Sequence, residues 1–139
     1  MATNSQILNR EFDAITAACK KAVDISLGFQ LAHVGINCEN EESAIGVAES
    51  ISNLFRMQPR YMNSAVFAGT AVEAVKSKSW GKNGHIGFFT NSIPRAMAYF
   101  DSIGIALNED GFKYNKKGEI SCVYLKDEIG GFAFHFVER

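Results

Sequence analysis

Three histidines stand among the 139 residues, His33, His85 and His135. The first two head the same short motif, His33-Val34-Gly35-Ile36 and His85-Ile86-Gly87-Phe88, 52 residues apart, and an alanine follows each eleven positions later, Ala44 and Ala96. The third lies in Phe132-Ala133-Phe134-His135-Phe136-Val137. In a strand, alternate side chains point to opposite faces, so the three phenylalanines share one face and Ala133, His135 and Val137 the other. The Phe face reads as core, which aims His135 into the concave side of the sheet. Glu73, in Ala71-Val72-Glu73-Ala74-Val75, is a lone carboxylate among small apolar residues and wants a partner. Neutral imidazoles with one carboxylate suit Zn²⁺, Ni²⁺, Co²⁺, Mn²⁺ or Fe²⁺ and are too nitrogen-rich for Ca²⁺ or Mg²⁺. Gly35 and Gly87 fall on the strand faces of His33 and His85, which predicts open space beside each ring for a ligand or water. One histidine on a strand is usually a hydrogen-bonded core residue. Its repetition at the same place in each half favours a ligand role for His33 and His85.

These residues need strands to present them and helices to cover the strands. Residues 1–24 contain no Gly or Pro, and Phe12, Ile15, Ala18, Cys19 and Ala22 recur at helical spacing, predicting one amphipathic helix closed by Gly28. Residues 29–37 read as a buried strand. A second helix follows, with Asn40 as cap, Glu41 and Glu42 at the positive end of its dipole, and an apolar stripe of Ala44, Ile45, Ala48, Ile51, Leu54 and Phe55. Short strands at 65–68 and 71–76 flank a turn at Gly69-Thr70. The order then restarts: a strand at 85–90, a cap at Ser92, Pro94 in the first turn, and a stripe of Ile93, Ala96, Met97, Phe100 and Ile103. Further strands include 120–126 and 132–138. A duplicated unit of this kind has an apolar sheet face that it cannot cover alone, so the two units must pair.

Hydrophobic residues make up 47% and charged residues 21%, the range of an ordinary globular domain. No apolar run approaches the ~20 residues of a membrane span. The start has no basic patch leading into an apolar core, so the cytoplasm is expected. The formal net charge of −1, with Lys and Arg scattered, offers no footprint for nucleic acid or an anionic membrane surface. Three cysteines, Cys19, Cys38 and Cys122, are an odd number without metal-type spacing and read as core or near-surface thiols. Trp80 is expected at a surface or dimer contact rather than over the pocket mouth, and Arg95 in solvent rather than against an anionic substrate. Glu39 to Glu42 reads as a capped helix start, and Lys126-Asp127-Glu128 as a solvated hairpin end.

From about Phe29 onward the chain resembles the vicinal oxygen chelate superfamily, in which each module carries a histidine in its first strand and an acidic or amide ligand in its last. Ala32-His33-Val34-Gly35-Ile36 and Gly84-His85-Ile86-Gly87 look like the two first-strand motifs, and Val72-Glu73 like the first acidic position. At the fourth position His135 stands where glyoxalase I has a glutamate. A closer resemblance is to the glyoxalase-like domain fused to some bacterial 4-hydroxy-2-oxoglutarate and 2-dehydro-3-deoxyphosphogluconate aldolases. It rests on residues 33–42, on Gly81-Lys82-Asn83-Gly84-His85-Ile86 and on residues 124–132, and Phe12-Asp13-Ala14-Ile15-Thr16 resembles the last helix of their barrel. The barrel with its Schiff-base lysine is absent.

The resemblance implies an α+β fold of two βαβββ modules, about 29–80 and 84–139, forming an incomplete mixed-sheet barrel after an amino-terminal helix and linker at 1–28. It implies that His33, Glu73, His85 and His135 hold one divalent ion, that Glu73 is the catalytic base, and that the ligand is a small 2-oxo acid or a similar vicinal-oxygen compound. With a single carboxylate the site charge is near +1, favouring an anionic ligand, and lactoylglutathione lyase chemistry is not expected. Lyase or isomerase activity, a homodimer and an association with aldolase metabolism follow as expectations. The alternative is a non-catalytic module for ligand binding or subunit association.

Overall fold

The computed structural model describes residues 2–139. Its helices are α1 (Asn4–Leu8), α2 (Phe12–Leu27), α3 (Glu41–Phe55) and α4 (Ile93–Ser102). The strands are β1 (Gln30–Asn37), β2 (Pro59–Tyr61), β3 (Ala65–Ala68), β4 (Val72–Val75), β5 (Gly84–Thr90), β6 (Leu107–Tyr114), β7 (Ile120–Leu125) and β8 (Phe132–Glu138). All eight form one mixed sheet in the order β2-β3-β4-β1-β5-β8-β7-β6. The order is a palindrome of modules: β1-α3-β2-β3-β4 and β5-α4-β6-β7-β8 each place their first strand beside their last, and the two first strands meet at the centre. β1 runs antiparallel to β5, while the pairs β1/β4 and β5/β8 are parallel. The two βαβββ units expected from the repeat are therefore present, joined edge to edge in an unclosed sheet.

α3 packs on the strands of the first module and α4 on those of the second. In α3, Asn40 accepts from the Ser43 N–H at 2.9 Å and Ser43 returns the bond, a reciprocal cap. Its buried seam is Ala44, Ala48 and Ser52, four residues apart, so small side chains bring the helix axis close to β3 and β4. The expected stripe is corrected at its end: Leu54 and Phe55 are exposed, because the seam runs through Ser52 and the last turn passes beyond it. In the second module Ile93, Ala96, Val123 and Phe136 are buried together with Leu27. Side chains of the size of Ile93, Val123 and Phe136 each contribute about 1.5–3 kcal/mol on full burial. Ile103 lies just past α4 and is exposed, and Phe132 and Phe134 are only half-buried, so Phe136 alone of its face reaches the deep core.

The amino-terminal segment also differs from expectation. It is two helices, broken at Arg10, which adopts φ 55, and α1 has its own capping box at Thr3 and Gln6; Met1 lies outside the described residues. Of the stripe expected on α2 only Ile15 is partly covered, and Phe12 is 57% exposed. α2 ends at Gly28, whose left-handed conformation (φ 58) costs a side-chain-free residue little. Asn91 and Thr90 then tie this end to the second module, donating to the carbonyls of Ile25 and Leu27.

Candidate metal centre

Register across the four central strands assembles the site. On β1 and β5, Gly35 is the partner of His85 and His33 the partner of Gly87. On the outer sides, Gly35 faces Glu73 of β4 and Gly87 faces His135 of β8. Each glycine is thus flanked by two polar residues from its neighbouring strands, all on the concave face. A Cβ on Gly35 would lie 2.1 Å from His85 Cε1, and one on Gly87 2.6 Å from His33 Cε1 and 2.7 Å from His135 Nε2. The expected free space beside His33 and His85 is therefore corrected. The glycines make room for the imidazoles themselves, which fold across the strand pair.

The ring nitrogens of His33, His85 and His135 all lie within 4.8 Å of one another, and Glu73 touches two of the three. His33 Nε2 lies 3.1 Å from His85 Nε2, 3.1 Å from His135 Nε2 and 3.3 Å from Glu73 Oε2. His85 Nε2 lies 3.1 Å from Glu73 Oε2. The ring centroids form a nearly equilateral triangle with sides of 5.1, 5.0 and 5.2 Å. Neighbouring donors on one ion, bonded at about 2.0–2.1 Å, stand roughly 2.8–3.4 Å apart in tetrahedral or octahedral arrangements. The spacing here falls in that range. Mutual hydrogen bonding cannot satisfy all four contacts at once, since a neutral imidazole Nε2 either donates once or accepts, and His33 Nε2 faces three such neighbours. The donor set and its geometry thus fit a divalent cation.

Surrounding residues set the orientation of the rings. His135 Nδ1 is 3.3 Å from Cys122 Sγ, which leaves Nε2 for the cluster. The Tyr124 ring lies 4.7 Å from that of His135, and Trp80 packs on Tyr124 at 5.7 Å. Trp80 therefore backs the wall of the site. Phe67 meets His33 edge-on at 6.2 Å. His85 Nδ1 is buried without a hydrogen-bond partner. Burial lowers the His135 pKa to about 3, aided by His33, His85 and Lys113, and burial likewise holds His33 below its ordinary value despite Glu73. Burial alone would raise Glu73, but the His85 hydrogen bond and the charges of His85, His33 and Lys113 outweigh it, so its pKa is lowered. Neutral imidazoles facing a carboxylate are the protonation states a cation requires.

His33, Glu73, His85 and His135, singled out in the sequence, all meet here, two from each module and all from one chain. Cys122, Tyr124 and Lys113 were missed. Their signal was alternation: Cys122 and Tyr124 oppose the buried Val123, and Tyr124 pairs with His135 and Lys113 with Cys122. Arg95 lies away from the cluster, beside Val23, Ser26 and Leu27.

No protein-family model matches the chain, and no curated protein sequence matches it. Solved structures do. A hypothetical protein from Bacillus halodurans superposes with a TM-score of 0.57 at 13% identity, over 80% of this chain and 94% of that one. Methylmalonyl-CoA epimerase from Streptomyces coelicolor, in complex with 2-nitronate-propionyl-CoA, gives 0.54 at 12% identity over 78% and 96%. The fold is glyoxalase-like. The epimerase from Mycobacterium tuberculosis, with a TM-score of 0.51 at 14% identity over 78% and 86%, shares it. At such identities the likeness is one of fold, and the chemistry of this glyoxalase-like chain must be argued from its own residues.

Proposed function

We propose that this chain is a divalent-metal-dependent domain of the vicinal oxygen chelate type, acting as a lyase or isomerase on a small 2-oxo acid or related compound with two neighbouring oxygens. The observation that carries it is the cluster of His33, His85 and His135, with Glu73 3.1–3.3 Å from His85 and His33. When bound, the ion supplies Lewis-acid polarisation of the two substrate oxygens. Zn²⁺, Ni²⁺, Co²⁺, Mn²⁺ and Fe²⁺ all suit the donor set. Cys122 fixes the His135 ring, and Tyr124, backed by Trp80, keeps water from one side. Glu73 Oε2 faces His85 and His33, while no described residue donates to Oε1. In this reading Oε1 takes a proton from the carbon beside the substrate carbonyl and returns it, the action of a general base. An epimerase among the structural neighbours supports the isomerase side of this reading. All three cysteines are free, which fits the cytoplasm.

A second reading, a module for association with another copy or with an aldolase, draws its support from the exposed apolar residues of α2, Phe12 and Ile25 among them. A homodimer is not needed to complete the site, whose four donors lie in one chain. The deciding experiment is metal analysis of the purified protein, followed by NMR of 2-oxo acids in deuterated water. Exchange of the hydrogens next to the oxo group, abolished by Glu73→Gln with the melting temperature kept, is the expected result. Exchange surviving Glu73→Gln would refute the base. No exchange with any small oxo acid would favour the association reading.

A further inference from the structure

The cavity that holds the four donors, about 340 Å³, is also lined by two cations, Lys113 and Lys78, and by the hydroxyl-bearing Ser64, Ser77 and Ser79. Lys113 is on β6 in register with Cys122, the residue touching His135, and so projects from the concave face one strand beyond it. Its ammonium stands 5.4 Å from the centre of the Tyr124 ring, the same ring that packs on His135 and His85. Among the described residues no carboxylate forms a salt bridge with it. Glu109 and Asp110 are on the same strand, yet neither pairs with it. An exposed cation over an aromatic face at the edge of a cavity, with no carboxylate within salt-bridge distance, is suited to meet an anionic ligand there.

We propose that Lys113 is the specificity-determining residue of this site and that it selects substrates in which one of the two neighbouring oxygens belongs to a carboxylate, with Lys78, also on the cavity lining, as a second contributor. The inference rests on the function proposed above and narrows its substrate class. A neutral dicarbonyl gains nothing from this residue, whereas a 2-oxo acid meets an ammonium of opposite charge at the edge of the cavity.

The test compares pyruvate with butane-2,3-dione, which has the adjacent oxygens without the carboxylate. Binding of each is measured by titration calorimetry to the full chain with saturating Zn²⁺ and again after chelation, for the wild type, Lys113→Met and Lys113→Arg. Methionine keeps the stem over Tyr124 and removes only the charge. Pyruvate affinity is expected to fall about tenfold or more in Lys113→Met and to stay within about threefold in Lys113→Arg, while the dione and Zn²⁺ itself bind within twofold of wild type throughout. Pyruvate binding unchanged in Lys113→Met, or a loss shared equally by the dione, overturns the proposal. If the protein takes no metal, the function proposed above fails. Lys113-dependent pyruvate binding to the chelated protein then upholds the anion subsite, and its absence overturns that too.

Discussion

Gly87→Ala tests the architecture of the site without altering a donor. The added methyl would sit 2.6 Å from His33 Cε1 and 2.7 Å from His135 Nε2, whereas ordinary contact begins at 3.4 Å. The two rings must therefore retreat by about 0.7 Å, several times the ~0.2 Å by which metal–ligand distances tolerate error. Two of the three clustered histidines, one from each module, are displaced. Affinity for Zn²⁺ or Ni²⁺ is expected to fall at least tenfold, read by competition with a chromophoric chelator. Overpacking of this kind costs about 1–3 kcal/mol, which for a chain of this size lowers the melting temperature by roughly 3–10 °C in metal-free protein. Gly46→Ala is the control: nothing lies within 4 Å of its Cβ position on α3, so it should leave metal binding alone and raise stability slightly through helix propensity. Gly87→Ala binding metal with wild-type affinity would refute the claim that the glycine exists to seat the rings.

Metal-free protein should lose stability on acidification before ordinary carboxylates titrate. The unfolded chain protonates each histidine near pH 6.5, while folded His135 resists down to about 3, so the unfolded state binds more protons between these values. Stability is full above pH 6.5 and falls by up to about 1.4 kcal/mol per unit below it, measurable by urea unfolding from pH 7 to 4; a flat profile would contradict the buried, neutral His135. Cysteine labelling offers a separate check. Burial pushes the Cys122 thiol up to about 11 and raises that of Cys38, whereas Cys19 is exposed. Native protein should show one thiol reactive to a disulfide reagent and denatured protein three.

Much of the site was legible because strand parity and an internal repeat are properties of sequence alone. His33 and His85 announce each other at equivalent positions, and the alternation around His135 and Glu73 assigns their faces without knowledge of any partner strand. Register is different in kind. That His85 lies over Gly35 depends on which strands meet and where, and composition carries no trace of it, so the glycines were read as empty space. Lys113 was hidden for the same reason: in Leu-Asn-Glu-Asp-Gly-Phe-Lys-Tyr a lysine among acidic residues reads as plain surface, and only the alignment of β6 with Cys122 brings this exposed side chain to the edge of the cavity. The apolar periodicity of α2 was real, but helical spacing reveals an amphipathic face and not whether anything covers it. In α3, Leu54 and Phe55 fit the period, yet the small residues Ala44, Ala48 and Ser52 decide the angle at which the helix meets the sheet.

The seam between β1 and β5 distributes the donors evenly, His33 and Glu73 on one side and His85 and His135 on the other. Neither half alone owns more than two. A free half-length chain could assemble four donors only by finding another copy, an encounter whose frequency falls with dilution. Covalent continuity replaces that encounter with an effective local concentration on the millimolar scale. It also lets the halves diverge, so that one contributes a carboxylate at its last strand and the other an imidazole, a pairing of unlike partners that identical copies could not specify.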